Sequence, residues 1–141
     1  MIHNLCLDLK PKKSRDSLNA CIYSIINYYS QNKSITEFEI DKYFALHHKN
    51  DLNEIIKLLK TYNLQSYTEQ SEYNSVVKQI RHRGVVLTEQ NLAGFKHYVV
   101  VCGITPQHEY WLIDPNFRTK QITPVSFYQL VSTKSVLISP K

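Results

Sequence analysis

The pattern of apolar and polar positions divides this chain into two halves of different character. Between residues 16 and 81, apolar residues recur every three or four positions, which places them on one face of a helix. From Val85 onward they occur in short unbroken runs separated by turn residues, as strands do. Helices followed by strands predict an α+β fold, with an N-terminal helical half packed on a C-terminal antiparallel sheet.

The first half contains four predicted helices, most of which open on a residue that can accept a hydrogen bond from a free backbone N–H. The pairs Thr36 with Glu39 and Asp51 with Glu54 have the spacing of a capping box or a close variant of it. The predicted helices run from Asp16 or Ser17 to Ser30, from Thr36 through Phe44, from Asp51 to Asn63, and from Ser71 to Arg81, before Gly84.

The second half contains five predicted strands and a short helix. Turn residues, including Pro106 and the Asp114-Pro115-Asn116 segment, separate them. The predicted strands run from Val85 to Leu87, from His97 to Ile104, from Tyr110 to Ile113, from Lys120 to Ile122 and from Val136 to Ser139, and the helix runs from Thr123 or Pro124 through Leu130.

Composition narrows the class of protein. The 141 residues are 43% hydrophobic, so we expect a single domain over residues 1–141 with a real core. The net charge of +5 suits an acidic peptide, an anionic lipid surface or nucleic acid, but also an ordinary basic soluble domain. The basic clusters carry no interleaved aromatic residues of the kind found in RNA-binding motifs, so we expect no nucleic-acid partner.

The cysteines and the hydropathy of the chain indicate the cellular compartment in which the protein is expected. The three cysteines form no CxxC pair, so neither a disulfide scaffold nor a zinc site is indicated, and we expect no metal and no cofactor. The sequence shows no signal-peptide pattern and no apolar run approaching the roughly 20 residues of a membrane span. We therefore expect a reducing, cytoplasmic environment.

His97 and Asp114 are the main candidates for chemistry. A cysteine peptidase needs a thiol at a helix N-terminus, a histidine that shares its proton, and an Asp or Asn that orients the histidine. His97 begins one predicted strand and Asp114 ends the next, so a hairpin would bring their side chains together. Each residue also has a simpler explanation, as a half-buried strand histidine and as a turn-forming aspartate before Pro115.

A wider set of motifs resembles one family. His97 before an apolar strand, Gly103, and then Ile113-Asp114-Pro115 are similar to the double-glycine leader peptidases, as are the segments from Asp16 to Cys21 and from Ile25 to Tyr29 and the short helix carrying Phe127. These are papain-like domains of bacteriocin and competence-peptide ABC exporters. The resemblance implies a papain-like fold, a peptide substrate, an ABC exporter as partner and a place at the cytoplasmic face of the inner membrane.

The chain departs from this family at the attacking end of the site. Ser17 stands where the family has its nucleophilic cysteine, and Leu18 replaces the glycine that follows it. The family's oxyanion glutamine lies about six residues earlier, where this chain has Lys10-Pro11-Lys12-Lys13. A serine hydroxyl does not form the ion pair with histidine that drives thiol chemistry, and proline offers no donor. Ser17 can also be read as a simple helix cap.

Other nucleophile and ligand candidates have simpler explanations. Cys21 falls on the apolar face of its helix and is predicted to lie in the core. Cys6 and Cys102 are predicted to be core or edge residues. The adjacent His47 and His48 lack further ligands at suitable spacing and are predicted to be a solvated helix end.

Three functional hypotheses follow. The first is a degenerate peptidase-like domain that binds a peptide or an unfolded export substrate without cleaving it, as domains of the resembling family do on exporters of large toxins. The second is a leader peptidase whose catalytic cysteine has been exchanged for Ser17. The third is an acyl hydrolase or transferase with Ser17, His97 and Asp114 as its catalytic residues.

Overall fold

A computed structural model of the chain describes residues 5–12, 16–30, 34–47, 51–69 and 72–141. Within these ranges the helices are α1 Ser17–Tyr29, α2 Glu37–Leu46, α3 Leu52–Thr61, α4 Tyr73–Arg81 and α5 Val125–Val131. The strands are β1 Leu5–Cys6, β2 Leu64–Thr68, β3 Val85–Leu92, β4 Phe95–Ile104, β5 Tyr110–Ile113, β6 Gln121–Thr123 and β7 Ser132–Pro140. Four helices precede most of the sheet, which confirms the α+β prediction.

The helix N-termini follow the capping signals in the sequence. Asp16 caps α1, accepting a 3.0 Å hydrogen bond from the backbone N–H of Asn19, and Asp51 caps α3. At α2 the predicted capping box of Thr36 and Glu39 forms in full. The predicted cap at Ser71 lies outside the described residues, and α4 begins after Glu72, which makes no side-chain capping bond.

All the strand pairs are antiparallel, and the sheet order is β2-β7-β3-β4-β5-β6, with β1 pairing with one end of β4. The strands β1 and β2 were not predicted. The sequence prediction was also too short for β3, which continues to Leu92 rather than ending at Leu87, and for β7, which begins at Ser132 rather than Val136.

The sheet carries a hydrophobic core on each face. Alternate residues of β4 contribute to the two cores: Tyr98 and Val100 belong to the core that includes α1 and α3, and Val99 and Val101 belong to the core that includes α4 and Tyr128 of α5. This alternation is the period of two expected of a strand covered on both faces. Burying both faces fixes the register of β4, and with it the position of His97.

The turn after α4 depends on Gly84, although not through a left-handed conformation. Arg83 adopts the positive φ of 63° in this turn. A Cβ on Gly84 would lie 2.3 Å from Nε2 of Gln79 and 2.8 Å from the carbonyl oxygen of Ile138. Gly84 therefore gives the buried Gln79 side chain room to donate to that carbonyl, at 2.7 Å, which anchors α4 to β7.

Candidate active site

Ser17 is the first residue of α1, and its hydroxyl group faces β4. Because Asp16 is the N-cap, the explanation of Ser17 as the cap itself is wrong. The side chain is half-buried, and Oγ accepts a 2.9 Å hydrogen bond from the backbone N–H of Tyr98. Ser17 thus lies at the positive end of a helix dipole, which would stabilise the anionic form of an attacking group.

Two side chains of α1 hold the main chain of β4 at Tyr98. Ser17 accepts from the Tyr98 N–H, and Cys21 donates from Sγ to the Tyr98 carbonyl oxygen at 3.4 Å. Residues four apart lie on the same face of a helix, so the two side chains together bind both the N–H and the carbonyl oxygen of Tyr98. This docks the N-terminus of α1 beside the residue that follows His97.

His97 and Asp114 form the pair that the sequence predicted. Nε2 of His97 lies 2.7 Å from Oδ1 of Asp114, and the two side chains are 11% and 17% exposed. The antiparallel β4–β5 pairing matches Val100 with Ile113, so Asp114 follows one position later, beside the N-terminal half of β4, which contains His97. Asp114 also accepts from the backbone N–H of Asn116 at 2.9 Å, which fixes its carboxylate in the turn.

The three predicted site residues therefore converge, but through different contacts. The ring of His97 is bound to Asp114 through Nε2, which leaves Nδ1 as the ring nitrogen open to another group. Ser17 reaches the same region through the main chain of Tyr98. Among the hydrogen bonds of the described residues, none joins Ser17 Oγ to the His97 ring.

The rival nucleophiles lie elsewhere. Cys21 is fully buried, as predicted, and burial raises the pKa of its thiol well above the ordinary value, so it stays protonated. Cys102 is also buried, whereas Cys6 is exposed on the short strand β1. His47 is exposed at the end of α2, where it pairs with Glu54 at 3.1 Å and stacks on Tyr43. His48 lies outside the described residues.

The described ranges contain neither a metal-binding cluster nor a membrane-spanning helix. No three His, Cys, Asp or Glu side chains there are arranged to hold a metal ion. None of the helices in those ranges combines the length and apolar character needed to span a membrane.

Comparison with known families agrees with this geometry. The family model described as the peptidase C39 family matches residues 9–141. The chain belongs to the peptidase C39 family. This membership confirms the resemblance that the motifs around Ser17, His97 and Asp114 suggested. No curated protein sequence gives a significant match.

Solved structures share the C39 fold. One is the peptidase domain of Streptococcus ComA, described as a bifunctional ABC transporter involved in quorum sensing; it is 14% identical, with a TM-score of 0.74, over 94% of this chain and 99% of that one. Another is a double-glycine-motif protease from an AMS/PCAT transporter in complex with a leader peptide, also 14% identical with a TM-score of 0.74, over the full length of both chains. The predicted fold is thereby confirmed.

This C39 domain has no amide side chain in residues 10–13, the stretch to which the resemblance assigns the oxyanion donor. The chain on either side of Pro11 is held by neighbouring groups: the carbonyl oxygen of Lys10 accepts from Oγ of Ser24 at 2.9 Å. The Lys12 ammonium lies 4.9 Å from the centre of the Tyr23 ring and 3.7 Å from Glu37. Since Pro11 has no N–H either, residue 11 offers no hydrogen-bond donor.

The sequence prediction missed two buried polar residues of β3 beside the site. In the β3–β4 register, Gln90 lies opposite His97 and Glu89 lies opposite Tyr98, and both are at most 4% exposed. The Glu89 carboxylate accepts from the Tyr98 hydroxyl at 2.8 Å and from Oγ1 of Thr133 at 2.9 Å. A polar stretch after Leu87 looks like a turn in the sequence, so only the tertiary partners reveal that it is strand.

Tyr98 links this buried carboxylate to the serine. Its main chain contacts Ser17 and Cys21, and its side chain donates to Glu89. Burial, together with the hydrogen bond to Glu89, raises the pKa of the Tyr98 hydroxyl, so that it remains a donor even at the pH where a free tyrosine ionises. The position of Ser17 relative to the sheet therefore rests on a buried network and not only on apolar packing.

Proposed function

We propose that this C39 domain binds an extended peptide segment of an export substrate and does not cleave it. One observation supports this above all: a serine at the start of α1 uses its oxygen to accept the Tyr98 N–H, next to a His97–Asp114 pair that remains assembled. The base and its orienting group persist, while the attacking group is a hydroxyl engaged in a structural hydrogen bond.

The chemistry of serine argues against cleavage at this site. A serine hydroxyl ionises at far higher pH than a thiol, so it needs a base in direct contact and a well-formed oxyanion hole. The hydrogen bond of Ser17 runs to the main chain of Tyr98. The stretch 10–13, where the resemblance implies the oxyanion glutamine, contains no amide side chain, and the loss of one such donor typically costs about 10²–10³ in rate. Both defects act on the bond-breaking step and not on the binding of a peptide.

The kind of partner follows from the relatives. The ComA domain belongs to an ABC transporter, and the PCAT protease was solved with a leader peptide. By analogy, a leader peptide or an unfolded cargo is the ligand of this domain, and the membrane part of an ABC exporter is its partner at the cytoplasmic face of the inner membrane. The net charge of +5 favours acidic cargo segments.

A binding experiment tests the proposal. Synthetic peptides carrying a double-glycine motif, together with candidate cargo segments from neighbouring genes, are titrated onto the full chain and followed by calorimetry. Mass spectrometry of the same samples after overnight incubation reports cleavage. Saturable binding with the peptide intact is expected. Cleavage of a peptide by the unaltered chain would overturn the proposal.

The intact His97–Asp114 pair keeps a second candidate open, namely a leader peptidase in which serine has replaced the catalytic cysteine. Ser17→Cys separates the two. Efficient cleavage after a double glycine by this single variant would favour the peptidase. The serine acyl hydrolase is less supported, because no hydrogen bond among the described residues joins Ser17 Oγ to the His97 ring; labelling of Ser17 by a fluorophosphonate probe would revive it.

A further inference from the structure

A second group of chemically active side chains lies at the opposite end of β4 from His97. Cys6 of β1 and Cys102 of β4 lie there on paired strands, and Lys120, which immediately precedes β6, reaches the sulfur of Cys6. The pairing of Cys6 with Gly103 places β1 beside the residue that follows Cys102. A strand rises about 3.3 Å per residue, so this cluster is roughly 16 Å from His97 and separate from the candidate active site.

Hydrogen bonds hold the cluster together. The backbone N–H of Leu7 donates to the carbonyl oxygen of Cys102 at 2.9 Å. The Lys120 ammonium donates to the carbonyl oxygen of Leu7 at 2.7 Å and lies 3.5 Å from Sγ of Cys6. Cys6 is exposed, while Cys102 is fully buried behind it. An accessible sulfur thus has a cation beside it and a second cysteine on the neighbouring strand.

The two thiols are electrostatically distinct. A hydrogen bond from the Cys102 side chain, assisted by the charge of Lys120, lowers the pKa of Cys6 to about 6. Partial burial and the Asp8 carboxylate, which lies 3.8 Å from the Lys120 ammonium, act in the opposite direction. The same contact with Cys6, together with burial, raises the pKa of Cys102 well above its ordinary value. At neutral pH, Cys6 is therefore the thiolate and Cys102 keeps its proton. Thiolates, and not thiols, react with peroxides and alkylating agents.

We propose that Cys6 is a redox modification site that reacts with peroxides, and that Cys102 resolves the product into a disulfide between β1 and β4. In the first step the Cys6 thiolate attacks one peroxide oxygen, the O–O bond breaks, and hydroxide leaves and takes up a proton as water. In the second step the Cys102 thiol displaces water from the Cys6 sulfenic acid, and the S–S bond forms. Two thiols are oxidised and one hydrogen peroxide is reduced to two water molecules.

The crosslink would act on the segment that leads to the candidate active site. Residues 7–12 connect β1 to the region before α1, and Leu9 in this segment is buried in the core. The short strand β1 comprises only Leu5 and Cys6 and is held to β4 by few backbone bonds. A disulfide there would add a covalent but reversible link to a weak attachment and connect the N-terminal segment to the strand that carries His97.

The experiment uses the full chain treated with equimolar hydrogen peroxide at pH 7. Intact mass spectrometry is expected to show the loss of two hydrogen atoms, and non-reducing peptide mapping should show a Cys6–Cys102 disulfide that dithiothreitol reverses. Iodoacetamide should alkylate Cys6 with a pH midpoint near 6, compared with about 8.5 for an ordinary thiol.

Variants separate the roles of the three residues. Cys6→Ser should abolish peroxide consumption, Cys102→Ser should trap the Cys6 sulfenic acid for dimedone, and Lys120→Met should raise the alkylation midpoint, whereas Lys120→Arg should keep it low. Cys21→Ser removes a thiol outside the cluster and should leave the disulfide yield unchanged. Circular dichroism establishes that each variant is folded. A Cys6 midpoint near 8.5 in the unaltered chain, or oxidation that yields no Cys6–Cys102 bond, would overturn the proposal.

Discussion

The backbone N–H of Tyr98 donates a 2.9 Å hydrogen bond to Oγ of Ser17, and this bond joins the start of α1 to the strand that carries His97. The serine therefore has a structural role that does not depend on any reaction. It satisfies a main-chain donor that would otherwise be left without a partner at the junction of helix and sheet. A serine can be retained at residue 17 for this reason alone, whether or not the domain cleaves a peptide.

Removing the Ser17 hydroxyl should lower stability. Ser17→Ala leaves the Tyr98 N–H without its acceptor in a half-buried place, which should reduce the free energy of unfolding by about 0.5–1.5 kcal/mol. Urea denaturation monitored by circular dichroism measures this. Ser126→Ala, at an exposed position of α5, is the matched control and should have a smaller effect. Equal stability of the two variants would show that the hydroxyl contributes nothing to the fold.

Restoring cleavage should require two substitutions. Ser17→Cys supplies a thiol at the helix N-terminus but leaves the oxyanion without an amide donor, so we expect cleavage of a double-glycine peptide to be barely measurable. Adding Pro11→Gln should raise the rate by about 10²–10³. The control variant combines Pro11→Ala with Ser17→Cys. It distinguishes the rate gain due to the amide side chain of glutamine from any gain due only to the removal of proline. A fully active Ser17→Cys variant would mean that residue 11 is not the donor position.

The parts of the site that could be predicted are those encoded locally. Asp16 opens α1 because its short carboxylate can reach the N–H of Asn19, and His97 and Asp114 meet because two apolar runs are joined by a short turn. Patterns of this kind need only neighbouring residues. The role of Ser17 was not accessible in this way, because its partner, the N–H of Tyr98, is 81 residues away.

The polar end of β3 shows the same limit. Thr88 and Glu89 look like loop residues in the sequence, yet they are at most 3% exposed. Thr88 bonds to the hydroxyl of Tyr128 at short range, and Glu89 accepts from Tyr98 and Thr133. Burial of polar groups is tolerated only where partners exist, and these partners come from α5, β4 and β7. The pattern of hydrophobic residues therefore does not predict this end of the strand.

The His97–Asp114 pair should contribute to stability whether or not it serves catalysis. Asp114→Ala leaves the buried His97 ring without its acceptor and should cost about 1–3 kcal/mol of unfolding free energy. Asp114→Asn retains an acceptor oxygen and should cost less, which makes it the matched control. If the domain binds without cutting, calorimetric titration should give the same peptide affinity for the unaltered chain and for Asp114→Asn. A large loss of affinity in Asp114→Asn would instead place the carboxylate in contact with the ligand.

Buried tyrosines should make the fold unstable at high pH. Burial raises the pKa of Tyr98 and of Tyr110 above the ordinary value, with the Glu89 hydrogen bond adding to the effect at Tyr98 and the neighbouring Tyr128 at Tyr110. A tyrosine of the unfolded chain releases its proton near pH 10, whereas these two retain theirs in the fold. Their contribution is therefore complete below pH 10 and is lost as the pH rises above it. Each should lower the unfolding free energy by up to about 1.4 kcal/mol per pH unit there.

Urea denaturation at a series of pH values from 8 to 11 measures this slope. Tyr98→Phe should be less stable than the unaltered chain at pH 8, because Glu89 loses a donor, but should lose stability less steeply above about pH 10. Tyr67→Phe, at a position that is 52% exposed, is the control and should keep the original slope. If Tyr98→Phe and Tyr67→Phe lost stability equally steeply, the Tyr98 hydroxyl would have to ionise within the fold. The stability of the network that joins Glu89, through Tyr98, to Ser17 would then not depend on the proton of the Tyr98 hydroxyl.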